Sequence, residues 1–148
     1  MEYVDIEDRL KGIKYQGKPL FKQVLTALDQ DAVLNNGVVR QDAAFVLPME
    51  EIADPSFTHD YEAEQIIETR FGVMVSVRAV NDRLGRNINQ RLQSIYKAVR
   101  RSLIGWEPQD GIDAITFTRG ELVLFGNGGA FWLEEYQTKY TEKQEQQQ

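Results

Sequence analysis

Few residues in this chain could do acid–base or metal chemistry, and those few are badly placed for it. His59 is the only histidine among 148 residues, in the run Thr58-His59-Asp60, and there is no cysteine. An imidazole titrates near neutral pH, but with no thiolate and no second imidazole a metal site would rest on carboxylates alone. Glu62 and Glu64 could contribute, yet neither a calcium-loop spacing nor a His-x-x-x-His pair exists. His59 therefore reads as a solvent-facing loop residue, and no metal or cofactor is expected. The glycine-rich run Gly126-Asn127-Gly128-Gly129 lacks the Gly-Lys-Ser/Thr ending of a phosphate loop, and no Gly-x-Ser-x-Gly elbow occurs. Asp113 and Glu121 flank a candidate hairpin as a metal-dependent nuclease would require. The residue two after Glu121, however, is Val123 where such a site needs lysine. The expectation is a protein that is not an enzyme.

Charge narrows the partners. There are 17 lysines and arginines against 23 aspartates and glutamates, a net charge of −6. A phosphate-backbone binder displaces counterions with a clustered basic face. The one cluster here, Arg91, Lys97, Arg100 and Arg101 with Arg86 just before, falls on a single expected helix and reads as its solvated side. Sequence-specific nucleic-acid binding is not expected; protein is. No apolar run approaches the roughly 18 residues that span a bilayer, so no membrane partner is expected either. The acidic start Met1-Glu-Tyr-Val-Asp-Ile-Glu-Asp8 has none of the marks of a signal peptide. A cytoplasmic folding compartment is the simplest fit.

The elements that must carry any surface follow from periodicity. Tyr3, Ile6, Leu10 and Ile13 have helical spacing; Gly17 and Pro19 interrupt it; Leu20, Phe21, Val24, Leu25 and Leu28 resume it. Two short helices, or one kinked at Gly17, are expected. Ala43-Ala-Phe-Val-Leu-Pro48 reads as a buried strand ended by its proline. Residues 50–64 hold six acidic residues and no cation, and read as an exposed, mobile loop in which Phe57 and Tyr61 are the unusual apolar members. Alternation from Ile67 to Ala79 predicts a long strand with one face on the core. Ile88, Leu92, Ile95, Val99 and Leu103 give the clearest helix, with Gly105 as its left-handed terminator. Residues 114–118, 121–125 and 130–140 then read as three strands joined at Arg119-Gly120 and at the Asn127 turn. The fold class expected is α+β: a mainly antiparallel sheet of four to five strands, helices packed over one face, and a C-terminal β-meander. Residues 1–140 form a single domain on this reading, and 141–148 a disordered polar tail.

Aromatic residues are the remaining signal. On the last strand Trp132, Tyr136 and Tyr140 share one side with Glu134 and Thr138, whereas Phe131 and Leu133 point to the other. That aromatic side either covers the edge of the helix layer or forms a subunit contact, where tryptophan and tyrosine are enriched. A long terminal strand with an open edge also calls for a partner to cover it.

From about Ala43 to Tyr140 the order of features resembles the tail terminator (tail completion) proteins of tailed bacteriophages. These features are the Ala-Phe-Val-Leu-Pro strand, the acidic loop, the valine-rich strand, the helix exit Leu103-Ile-Gly-Trp-Glu-Pro108, the Arg119-Gly-Glu-Leu-Val123 turn and the Trp132-x-x-x-Tyr136 strand. The resemblance implies a structural protein of the phage or prophage, assembled in the host cytoplasm and sited in the virion neck. It implies a homo-hexameric ring that caps the head-proximal end of the tail tube and meets the tail tube protein and a head-completion or neck protein. Phe57, His59, Tyr61 and Asn127 are then the candidate tube or neck contacts, and Trp132 and Tyr136 the ring contact. Competing readings are another neck or head–tail joining protein, and a non-viral interaction domain using the same aromatic side.

Overall fold

The computed structural model describes residues 1–35, 41–54, 64–79, 86–126 and 128–143. Helix α1 (Tyr3–Lys11) leads into a small hairpin, β1 (Lys14–Tyr15) and β2 (Lys18–Pro19), then β3 (Gln23–Thr26) and α2 (Gln30–Asn35). The strands β4 (Ala43–Ala53) and β5 (Glu64–Arg78), helix α3 (Arg86–Leu103), and strands β6 (Thr116–Gly126) and β7 (Gly129–Lys143) complete the order. Five strands make one sheet in the order β3-β4-β5-β7-β6, in which only β3 and β4 run parallel.

The alternation along β5 sets the layers. Phe71, Val73, Val75 and Val77 enter the main core with Ile6 and Leu10 of α1 and with Ile88, Leu92, Ile95, Val99 and Leu103 of α3. Each of these side chains contributes roughly 1.5–3 kcal/mol on leaving water, so the apolar stripe of α3 is enough to seat it on the sheet. Met74, on the opposite face of β5, packs with Leu47, Phe131, Leu133 and Val33 of α2. Gly105 takes φ 80° just past α3, and its amide bonds to Ile115. That turn delivers the chain to β6.

Several local expectations give way to longer-range pairing. Leu20–Leu28 is a strand rather than a second helix: Gln23–Thr26 pairs with Ala43–Val46, which satisfies its main chain, and only Val24 of its middle turns into the main core. Asp29 Oδ1 then accepts from the Asp31 amide at the start of α2. Pro48 does not end β4; a bulge between Pro48 and Glu50 absorbs the missing donor, and pairing continues to Ala53. Glu50–Ala53 therefore belong to a strand, not to the acidic loop. Arg119-Gly120 is not a turn either, because 116–126 is one strand with two irregularities in its pairing to β7. Finally, β7 is interior: it pairs with β5 from Glu64↔Lys143 to Arg78↔Gly129, and residues 141–143 are part of that ladder. Among the described residues the open edges are those of β3 and β6. Residues 144–148 lie outside the described residues.

Candidate interaction surfaces

The aromatic side of β7 faces α3. The Trp132 indole stacks on Tyr96, with ring centroids 4.3 Å apart and planes 12° from parallel. Its Nε1 donates to Glu134 Oε2 at 3.1 Å. Tyr136 is fully buried, stacked on Phe71 at 5.5 Å and meeting Phe117 edge-on at 5.8 Å, and its hydroxyl reaches Glu134 Oε1 at 3.4 Å. Glu134 itself has no exposed surface and takes a bidentate pair from Arg100, both bonds 2.9 Å. The Arg100 guanidinium lies 4.0 Å from the Phe117 ring centre and 5.1 Å from that of Tyr96. A buried ion pair tolerates desolvation only when its remaining lone pairs and protons are also met, and here two further donors meet them. Hydrogen bonding to Glu134 holds the Arg100 pKa above its ordinary value. Burial, and after it the negative Glu134, pushes the Tyr136 phenol far upward.

This cluster corrects two expectations. Arg100 turns inward instead of joining the solvated side of α3, and Arg91 is engaged with Asp42; Lys97 and Arg101 are exposed. Tyr136 offers no surface to a neighbour in this conformation, because α3 must bury its stripe on the same face. Trp132 is half-buried, so only part of its ring is available. Glu134 is the functional group that residue-type reasoning missed. Its signal was a carboxylate at an inward position between Trp132 and Tyr136, which requires a cation from the helix above.

Exposed large apolar side chains are spread over the described residues, among them Val4, Met49, Ile52 and Ile104, and some lie at the two sheet edges. On β6 these are Leu122, 52% exposed, and Phe125, 42% exposed; beside β3 they are Leu25, 44%, and Leu28, 86%. The β1–β2 hairpin stands nearby. Gln16 and Gly17 have φ 52° and 78°, the signs of a type I′ turn, and hold Tyr15 and Lys18 side by side. Of the remaining candidates, Phe57, His59 and Tyr61 lie outside the described residues, in the chain between β4 and β5. Asn127 also lies outside them, between β6 and β7. The two connections leave opposite ends of the sheet, since Ala53 pairs near Ile67 whereas Gly126 pairs with Gly129 beside Arg78.

A family model described as phage tail terminator protein matches residues 5–147. The chain belongs to the phage tail terminator family. Membership makes it a structural component of a phage tail, in a family not known for enzymatic activity, and places it at the virion tail. Tail terminators work alongside other tail and head proteins, which agrees with a candidate site made of edges and loops. No curated protein matches the chain. Among the described residues, no helix is long and apolar enough to cross a membrane, and no three His, Cys, Asp or Glu side chains are grouped to hold a metal ion.

Proposed function

We propose that this chain assembles as a homo-hexameric ring that closes the head-proximal end of the tail tube, stops tube polymerisation and offers a surface to the head-completion proteins of the neck. The observation that carries this reading is the family match over residues 5–147. The mechanism is binding without catalysis. One face of the ring repeats the contacts that a tube ring makes, and the other face lacks them, so growth ends. Two segments leave opposite ends of the sheet, which suits a protein with two axial neighbours: Phe57, His59 and Tyr61 address one and Asn127 the other. Trp132, at the boundary between the covered face and the open β6 edge, marks the ring contact, with Tyr136 supporting it from behind. A net charge of −6 per subunit makes the ring strongly acidic, which keeps passing DNA from adhering. Residues 1–140 act as one domain that folds in the host cytoplasm before joining the neck.

Light scattering across a concentration series tests the reading, with purified tail tube protein added in a second arm. Six-chain particles, or assembly induced by tube ends, are the expected results. A chain that remains monomeric in both arms overturns the ring.

A further inference from the structure

Asp42, the residue before β4, gathers three cations. Its backbone carbonyl accepts from the Lys22 amide at 2.8 Å. Its Oδ1 accepts from the Arg78 amide at 2.9 Å, and its Oδ2 takes the Arg91 guanidinium. Arg91 also donates to the Arg78 carbonyl at 2.6 Å. One residue thus pins the backbones of Lys22 and Arg78 and the side chain of Arg91. Around them lies an open depression of about 390 Å³, with Leu20 and Ala79, both packed against the main core, among its walls.

The charge here does not cancel. On the sheet Arg70 and Arg119 are each held by two carboxylates. In the depression three cations meet one carboxylate, Asp42, among the described lining residues. Lys22 and Arg78 are exposed, and the Arg91 side chain is half-exposed. Two of the five guanidinium N–H groups of Arg91 are engaged, and three remain for a ligand on a side chain already held in place. A carboxylate suits such a site, since guanidinium groups pair with it through two parallel hydrogen bonds. A phosphate backbone asks instead for a basic stripe that neutralises many charges in a row, and a single dent with its own carboxylate does not offer one.

We infer that this depression is an anion-binding pocket that takes a glutamate or aspartate side chain from an acidic segment of another protein. The carboxylate sits between Lys22, Arg78 and Arg91, and Leu20 and Ala79 meet its aliphatic stem. Ala79 donates its amide to the Gly128 carbonyl in the β6–β7 turn at 2.7 Å, so the pocket adjoins the end of the sheet from which Asn127 leaves. The inference deepens the reading of two axial neighbours and rests on it: the neighbour at the Asn127 end presents carboxylates. A chain of net charge −6 repels acidic surfaces at long range, and a local excess of cations steers such a partner to this end.

The test titrates the full chain with acetylated hexaglutamate at low salt and follows backbone amide shifts by NMR. Saturable shifts are expected at Lys22, Asp42, Arg78 and Arg91 in the unaltered protein, a readout that needs no variant to fold. Binding should be at least tenfold weaker in Lys22→Glu. It should stay within twofold of the parent in Lys97→Glu, which makes the same charge change at an exposed position of α3. Circular dichroism checks the folding of both variants. Shifts that miss these four residues, equal losses in the two variants, or a DNA duplex that binds there tenfold more tightly than the peptide overturn the acidic segment as occupant and leave the ring standing. A Lys22→Glu chain that joins tube and neck proteins as the parent does overturns the assignment to an axial neighbour. Absence of six-chain particles in light scattering overturns the ring and leaves the pocket.

Discussion

Gly120 and Leu122 sit two residues apart on β6 and point to the same face of the sheet, yet their surroundings are opposite. At Gly120 an added Cβ would come 2.5 Å from Glu134 Oε2 and 3.0 Å from the Trp132 ring, so no side chain fits. At Leu122 half of a large apolar side chain is in solvent. Helix α3 makes the difference, because its Arg100 and Tyr96 reach down over Glu134 and Trp132 and leave the rim of β6 uncovered. One strand thus holds a position sealed by the fold and, two residues on, a position left to solvent. Substitutions at the two positions should differ sharply in their cost to stability.

The largest effect is expected from Glu134→Leu, which strands the Arg100 cation and removes the acceptor for Trp132 Nε1 and the Tyr136 hydroxyl. A loss of about 3–4 kcal/mol is expected in urea unfolding. Adding Arg100→Met should recover most of it, since replacing both members of a buried pair costs far less than removing one. Gly120→Ala forces the same cluster apart from the other side, and about 2 kcal/mol should be lost by the same measurement. A smaller effect comes from alkali. Tyr136 has its pKa raised by burial, and those of Tyr3 and Tyr140 are also raised, in each case first by burial and then by Glu51. Their contribution is complete below the unfolded value near 10 and declines above it, because the unfolded chain releases these protons first. Unfolding free energy should hold from pH 8 to about 10 and then fall, by about 1.4 kcal/mol per pH unit from Tyr136 alone. Least affected is Leu122→Lys, whose stability in urea should stay within about 0.5 kcal/mol of the parent. A large stability loss at Leu122, or none at Glu134, would erase the distinction between the two sides.

The inner side was partly legible from the residue order. The α3 stripe matches the burial it implies, whereas the β5 alternation is right about only one face: Gly72, Met74 and Ser76 on the other are buried as well, because α2 and its neighbours cover that side. Leu20–Leu28 misleads because its spacing suits a helix while β4, well downstream in the chain, offers it a parallel partner. Pro48 and Arg119-Gly120 look like breaks because a bulge and a turn use the same residues, and only the neighbouring strand decides between them. Glu134 and Arg100 lie 34 positions apart on different elements, so no local pattern joins them. The open β6 edge was hidden for the same reason: β7 ends the order of elements, but it lies inside the sheet. Of the expected contact residues, Trp132 lies at a usable boundary and Tyr136 does not, while Phe57, His59, Tyr61 and Asn127 fall outside the described residues.

The central ladder carries a consequence in time. Strands β4 and β5, and likewise β6 and β7, follow one another along the chain and can zip up as local hairpins within microseconds. Pairing β5 to β7 must instead close a loop of about fifty residues at its nearest point, Arg78 with Gly129, and contacts of such separation slow folding towards milliseconds or longer. Until that step is complete both hairpins expose edges that later become interior. A chain in which the two hairpins form ahead of the central ladder has more open edges than the finished fold, and crowded synthesis would favour mispairing at that stage. Lowering the temperature during expression, or slowing translation ahead of β6, should raise the yield of assembly-competent protein without altering a single contact in its final form.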